Sequence, residues 1–257
     1  MYDDQHHLHR CHRRKISRRR GKHQYRDLRN PDLTCCILEI MELFHALNRG
    51  VDKRTIFLND KDRLRFVHNL YEFNDSAPAP EFIKYRDFVN PDIGRSRDRI
   101  VDIHGWCLMD NHYHLLLSER QENGLSMFLR KLNVGYANYF NERYTRSGTL
   151  FQGRTKKVLV DNDSHFLYIL HYLHLNPLDL TVNKKLWRQG HIRNCREALN
   201  QLETYRWSSY LDYSGKKNFP SVLTRDLFDG VFKNYPKELM RYVKDMSTPE
   251  IGPLTLE

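Results

Sequence analysis

The stretch DNHYHLLL, Asp110 to Leu117, places two histidines two residues apart at the head of an apolar run. In a β-strand, residues i and i+2 share a face, so His112 and His114 project together while Tyr113 points to the other side. Two imidazoles side by side on a strand can hold a metal ion, and they can equally be two polar residues on a solvated face. Asp110 and Asn111 in front of them read as a turn, and the preceding IVDIHGWCLMD reads as the partner strand of a hairpin.

Outward from that hairpin the chain alternates strand and helix signals. Before it, a strand is expected over Leu38–Leu47 with a turn or bulge at Asn48-Arg49-Gly50. NDKDRLRFVHNLYEFND has helical spacing, with Leu64, Val67, Leu70 and Tyr71 on one face and Asn59 or Asp60 as N-cap. DSAPAPEFIKYRDFVNPDIGRSRDR holds three of the nine prolines and reads as an inserted loop. After the hairpin, GLSMFLRKLNVGYANYFNERY is the clearest helix, its stripe marked by Leu125, Phe128, Leu129, Leu132, Tyr136 and Tyr139. A fourth strand ends at Val158–Val160. A last helix follows, capped by Asp163 or Ser164 and stopped by Pro177. The first six elements follow the β-α-β-β-α-β order of an α+β, ferredoxin-like core, with helices on an antiparallel sheet and strands one and three adjacent at its centre. His112 and His114 then sit on a central strand, a rigid platform for a site.

The balance of charge points to a polyanion. The 257 residues carry a net +10, and residues 1–30 hold ten Lys/Arg against three Asp, a net of +7. That segment has no hydrophobic period and is expected to be a flexible basic arm, 1–32, that meets phosphates without reading sequence, or a solubilising tail. Residues 33–214 form the main domain, and 215–257, with Leu227, Val231, Tyr235, Leu239 and Tyr242 at helical spacing, a small helical extension. Five cysteines at irregular spacing, without a C-x-x-C pair, argue against a disulfide framework or zinc ribbon. No apolar run reaches membrane-span length and no secretory signal opens the chain, so a cytoplasmic protein is expected.

The last helix supplies a second cluster. Tyr172 and Asn176 lie four residues apart, hence on one face, and Pro177 disfavours helical geometry at Asn176, which is expected to end the helix with its amide oxygen reaching outward. Two imidazoles and one carboxamide oxygen suit Mg2+ or Mn2+ acting on a phosphate better than a closed zinc site. A tyrosine hydroxyl near such an ion is a candidate nucleophile; on spacing alone Tyr172 is an ordinary helix tyrosine. Tyr168, Tyr136 and Tyr139 read as core or base-stacking aromatics, and His171 and His174 as structural residues or as supports behind the site.

Taken together, GWCLMDNHYHLLL, YANYFNERYTRSGTLFQGRTKKVLV, YILHYLHLNP and YRWSSY resemble the single-tyrosine HUH transposases, and within them the REP-associated, IS200-like branch, from about Phe44 to Tyr213. His112-Tyr113-His114 matches the histidine pair, Tyr172 to Pro177 matches the Y-I-H-L-N-P element, and NRG at Asn48–Gly50 and LFQGR at Leu150–Arg154 fall where the family has them. The chain departs from it in LFHALNRG, where the family reads Y-H-V-T-N-R-G, and in Tyr113, a position usually aliphatic. The resemblance implies a transposase cutting and rejoining single-stranded or hairpin DNA through a 5′-phosphotyrosine bond. Tyr172 would be its nucleophile, and His112, His114 and Asn176 would hold Mg2+ or Mn2+. Arg49, Arg143, Arg146, Arg154, Lys156 and Lys157 are expected on the DNA backbone. A homodimer is needed only if Tyr172 acts in trans. The other readings are a metal-dependent nuclease, in which water attacks, and a silent nucleic-acid-binding regulator.

Overall fold

Strand β3, His112–Glu119, lies inside a four-stranded antiparallel sheet. In the computed structural model, which describes residues 41–78, 97–181, 187–192 and 194–246, it pairs with β2, Val101–Met109, on one side and with β1, Leu43–Arg49, on the other. Strand β4, Lys156–Leu159, closes the far side of β1, so the order is β2-β3-β1-β4. This is the ferredoxin-like arrangement, with the first and third strands central. The arm 1–32, the start of the first expected strand before residue 41 and the loop over 79–96 fall outside the described residues. Cys107 and Cys195 are free thiols.

Helices α1, Asp60–Glu72, and α2, Gly124–Arg143, cover one face of the sheet. Asn59 caps α1, accepting from Lys61 and Asp62 N–H while Asp62 accepts from the Asn59 N–H, a reciprocal pair that satisfies two otherwise orphaned donors. Between these helices and the sheet lie Phe66, Val67, Leu70, Phe128, Leu132, Tyr136 and, from β3, Tyr113, Leu115 and Leu117. Tyr113, which departs from the aliphatic residue expected there, is thereby accounted for. Its ring packs 4.9 Å from Phe66 and its hydroxyl donates to Asn133 Oδ1 at 2.7 Å. It is a core residue with a satisfied polar tip.

The opposite face is also covered. Helix α3, Asp163–Leu175, crosses β2 at Gly105, where a Cβ would come within 3.1 Å of Leu170 Cδ1. The β2–β3 register slips between Ile103 and Gly105, which adds a bulge at that crossing. Helices α4, Cys195–Thr204, and α5, Tyr235–Met246, share a second apolar cluster with α3, to which Leu199, Leu202, Tyr235, Leu239 and Val243 contribute. The YRWSSY segment bridges them to the sheet: Leu108 N–H donates to Trp207 O, and Ser209 N–H to Trp106 O, both at 2.9 Å. With both faces covered, β3 is buried through seven of its eight residues. That is why it reads as an apolar run rather than an alternation.

Three local expectations are corrected. The chain does not turn at Asn48-Arg49-Gly50. Strand β1 runs through Arg49, because Asn48 and Arg49 still pair with Tyr113 and His112, and the turn comes at Val51–Lys53. The cap of α3 is Asn162, whose side chain accepts from His165 N–H at 2.9 Å, one residue ahead of the expected position. The α-helix ends before Pro177 as expected, with Asn176 as its C-cap, but the proline does not move Asn176 out of helical geometry. Asn176 keeps helical angles (φ −50°, ψ −38°), and a 3-10 turn continues over Asn176–Leu180. Proline near the start of that turn costs little, since its missing N–H would have had no partner within it.

Candidate active site

The residues that face α3 from the sheet are the alternate ones of β3 and β1. His112 and His114 stand opposite Arg49 and Leu47, and His45 lies two residues further along β1. The rings of His112 and His114 are 4.9 Å apart and nearly perpendicular. His45 stacks on His114 at 5.1 Å, and its Nε2 is 2.9 Å from His114 Nδ1. On the far side of His112, Nδ1 is 2.6 Å from Asn111 Oδ1. The structure therefore adds a third imidazole to the pair. A period-two reading of HALNR (His45, Leu47, Arg49) places His45 on the same face, but only the β1–β3 register shows which face that is.

Tyr172 of α3 meets these histidines edge-on, 5.8 Å from His114 and 5.9 Å from His45 between ring centroids. The chain brings its own tyrosine to its own histidine pair. Asn176 is fully buried one turn on, and its amide does not reach outward as expected. Its Nδ2 donates to Tyr172 O at 2.9 Å, and its Oδ1 accepts from Arg188 Nη2 at 2.8 Å. Arg188, in the short turn Trp187–Gln189, also donates from Nη1 to Tyr172 Oη at 3.0 Å. Its Nε and Nη2 reach Asp179 Oδ2 at 3.2 and 2.9 Å. Asp179 in turn accepts from Trp187 Nε1 at 2.7 Å. Tyr172, Asn176 and Asp179 are spaced i, i+4, i+7, so one guanidinium reads a single face across the junction of α3 and the 3-10 turn. No motif announced Arg188 or Asp179; their part depends on a turn that folds back from outside the helix.

Burial sets the charge state here. It pushes His112 down to about 3, helped by the positive charges of Arg49 and Arg188, and pushes His45 down to about 3 as well. His114 is held well below its usual range, first by burial and then by its histidine neighbours. All three are neutral at physiological pH, the form in which imidazole binds a metal. Arg188 is also penalised by burial, but its bonds to Asp179 and Tyr172 hold its proton more firmly than in water. Among the described residues no group of three or more His, Cys, Asp or Glu is arranged to hold a metal ion. The donors expected for Mg2+ or Mn2+ are His112, His114 and the Asn176 amide oxygen. The two neutral imidazoles fit that use, and the amide oxygen has a second lone pair beyond the one facing Arg188.

The expected DNA-backbone residues divide by face. Arg49 opposes His112, and Lys156 pairs with Leu47, which places both on the histidine side of the sheet. Lys157 points to the helical side, where it donates to Ser126 at 3.2 Å. Arg143 is tied to buried Asp62 at 3.4 Å and to the Tyr144 hydroxyl, and Arg146 to Asn141 at 2.7 Å. Those three lie with α1 and α2, away from Tyr172. Arg154 is exposed in the bend before β4. His174 is structural, with Nδ1 2.6 Å from the Tyr235 hydroxyl and Nε2 2.7 Å from Ser209 Oγ.

The family model described as IS200-like transposase matches residues 94–175, from before β2 to the end of α3. A solved structure of a REP-associated tyrosine transposase bound to a REP hairpin is similar at 13% identity and a TM-score of 0.43, over 80% of this chain and 93% of that one. No curated protein matches the chain by sequence. Among the described residues no helix is long and apolar enough to cross a membrane. The matched residues 94–175 include both the histidine pair and Tyr172.

Proposed function

We propose that the chain is a DNA transposase that cleaves and rejoins single-stranded or hairpin DNA, with Tyr172 as nucleophile. The observation that carries this reading is the approach of Tyr172 to His114, ring to ring at 5.8 Å, within a segment that matches the IS200-like transposases. In the cleavage step a Tyr172 Oη–P bond forms and the P–O3′ bond breaks. The phenolic proton leaves to solvent and the departing 3′ oxygen gains one. The strand then carries a free 3′-OH, and the protein a 5′-phosphotyrosine.

His112 and His114, with Asn176 Oδ1, would hold Mg2+ or Mn2+, which as a Lewis acid would stabilise charge developing on the scissile phosphate. A tyrosine of ordinary pKa, about 10, is phenolate in only about one molecule in a thousand at pH 7. Arg188, donating to Oη, leaves the phenolic hydrogen directed elsewhere and places positive charge beside the oxygen that becomes anionic. Arg49 and Lys156, on the same face, would receive the neighbouring phosphates. The phosphotyrosine conserves the phosphodiester energy, so a second 3′-OH can displace it without ATP. That chemistry is strand transfer rather than hydrolysis.

The test is a labelled single-stranded hairpin incubated with protein and Mg2+ or Mn2+, then run on a denaturing gel. A covalent adduct is expected with the wild type and none with Tyr172→Phe. An adduct with Tyr172→Phe removes the nucleophile assignment. Cleavage without an adduct makes the protein a nuclease, and binding without cleavage a silent regulator.

A further inference from the structure

Asn111 stands next to the histidine pair, and its amide is oriented from both ends. Its Nδ2 donates to Lys53 O at 3.0 Å, and its Oδ1 faces His112 Nδ1 at 2.6 Å. A backbone carbonyl can only accept, so the amide NH2 must face Lys53, which leaves the oxygen for the imidazole. An amide oxygen can also only accept. His112 Nδ1 must therefore carry the hydrogen, and with the ring neutral the lone pair lies on Nε2. The contact between His45 and His114 is different, since either ring can donate. Of these two contacts, the Asn111 one dictates a tautomer.

The carbonyl that orients Asn111 is itself held in an unusual backbone. Asp52 and Lys53 adopt φ of 55° and 57°, the left-handed region that non-glycine residues seldom enter. The turn is kept there by hydrogen bonds to the hairpin that bears Asn111: Gly50 N–H donates to Asn111 O at 2.8 Å, and Ile56 and Phe57 N–H to Asp110 O at 2.9 and 3.1 Å. Strain of this kind persists where surrounding contacts over-determine it.

We propose that Asn111, braced by the strained Asp52–Lys53 turn, is a positioning residue that locks His112 in its Nδ1–H tautomer and so presents Nε2 to a divalent cation. The consequence for the cation rests on the reading of His112 as a ligand; the tautomer does not. Outer partners of this kind raise metal affinity by fixing ring orientation and tautomer.

The test reads the tautomer in the full-length, metal-free protein by long-range 1H–15N correlation on 15N-histidine at pH 8.5, with His112 assigned from a His112→Gln control. Wild-type His112 is expected as Nδ1–H. Asn111→Ala should move it towards Nε2–H and weaken Mn2+ binding, measured by calorimetry, about 10- to 100-fold. Asn111→Asp, which retains an acceptor, should restore the tautomer. A wild-type His112 protonated at Nε2 overturns the proposal, as does an unchanged tautomer in Asn111→Ala. If Asn111→Ala fails to fold, the wild-type spectrum and Asn111→Asp still decide. A locked tautomer in a protein that forms no DNA adduct would remove the transposase reading and leave this one standing.

Discussion

Replacement of Arg188 by glutamine removes the guanidinium that joins Tyr172, Asn176 and Asp179. The side chains of Arg188 and Asp179 are 17% and 21% exposed, and Asn176 is fully buried. Breaking a buried charged pair by deleting one partner costs about 3–5 kcal/mol. Partial exposure of both ends lets water replace some of the lost bonds, which lowers the expected cost to about 2 kcal/mol. At about 2–4 °C per kcal/mol for a domain of this size, Tm should fall about 4–8 °C. Arg188→Lys keeps the charge but loses the fork that reaches three acceptors at once, and should fall between wild type and Arg188→Gln. The chemical effect should be larger, because an error of about 1 Å in nucleophile position costs about 100-fold in rate. Adduct formation by Arg188→Gln, timed at saturating hairpin, should slow by about that factor. A thermal double-mutant cycle with Asp179→Asn should be non-additive by about 1 kcal/mol or more. A Tm within 1 °C of wild type, with additive behaviour in the cycle, would falsify the clamp.

The depressed histidines make stability depend on acid. His45 and His112 are about 3 in the folded chain against 6.5 in the unfolded one, so the unfolded state binds more protons between those values. Stability is fully present above pH 6.5 and is lost as pH falls towards 3. The loss is roughly 2 kcal/mol per histidine by pH 5, and urea midpoints that stay flat from pH 7.5 to 5 would contradict it. Arg49→Ala and Lys156→Ala should weaken single-stranded DNA binding and each reduce the slope of log K against log salt by about 1. Arg143→Ala should leave that slope unchanged and lower Tm through the loss of its contact with Asp62; the reverse pattern in fluorescence anisotropy would place the DNA on the helical face. Tyr113→Phe should cost about 1 kcal/mol through the lost bond to Asn133, with Mn2+ affinity unchanged, since the ring faces away from His112.

The ferredoxin-like order was legible because each element carries its own local signal: the apolar run that His112 opens after the Asp110-Asn111 turn, the stripe from Leu125 to Tyr136, the spacing of Tyr172 and Asn176. The proximity of Tyr172 to the histidine pair was legible only through the family resemblance, since nothing local relates residues sixty positions apart. Local rules failed where distant contacts overruled them. Asn176 stays helical before a proline because its amide caps Tyr172 O on one side and meets Arg188 on the other. Strand β1 passes through the expected turn because Arg49 still has His112 to pair with. His45, Arg188 and Asp179 were missed for the same reason. Each is unremarkable in its own segment and gains its part only from what folds against it.

The far side of α3 also constrains the chain as an assembly. The helix presents Tyr172 towards the sheet, while its other flank is held by α5 through Tyr235, whose hydroxyl meets His174 and donates to Leu170 O. For two copies to trade this helix, each would have to strip it from β2 at Gly105 and from the aromatic seat around Tyr235 in one step, uncovering both sides of a buried element. The chain leaving α3 is at once fastened by Asp179 to Arg188, a further tie that such an exchange would have to release. The ties that aim the tyrosine thus also seat it, within this one chain, against the chain's own histidines.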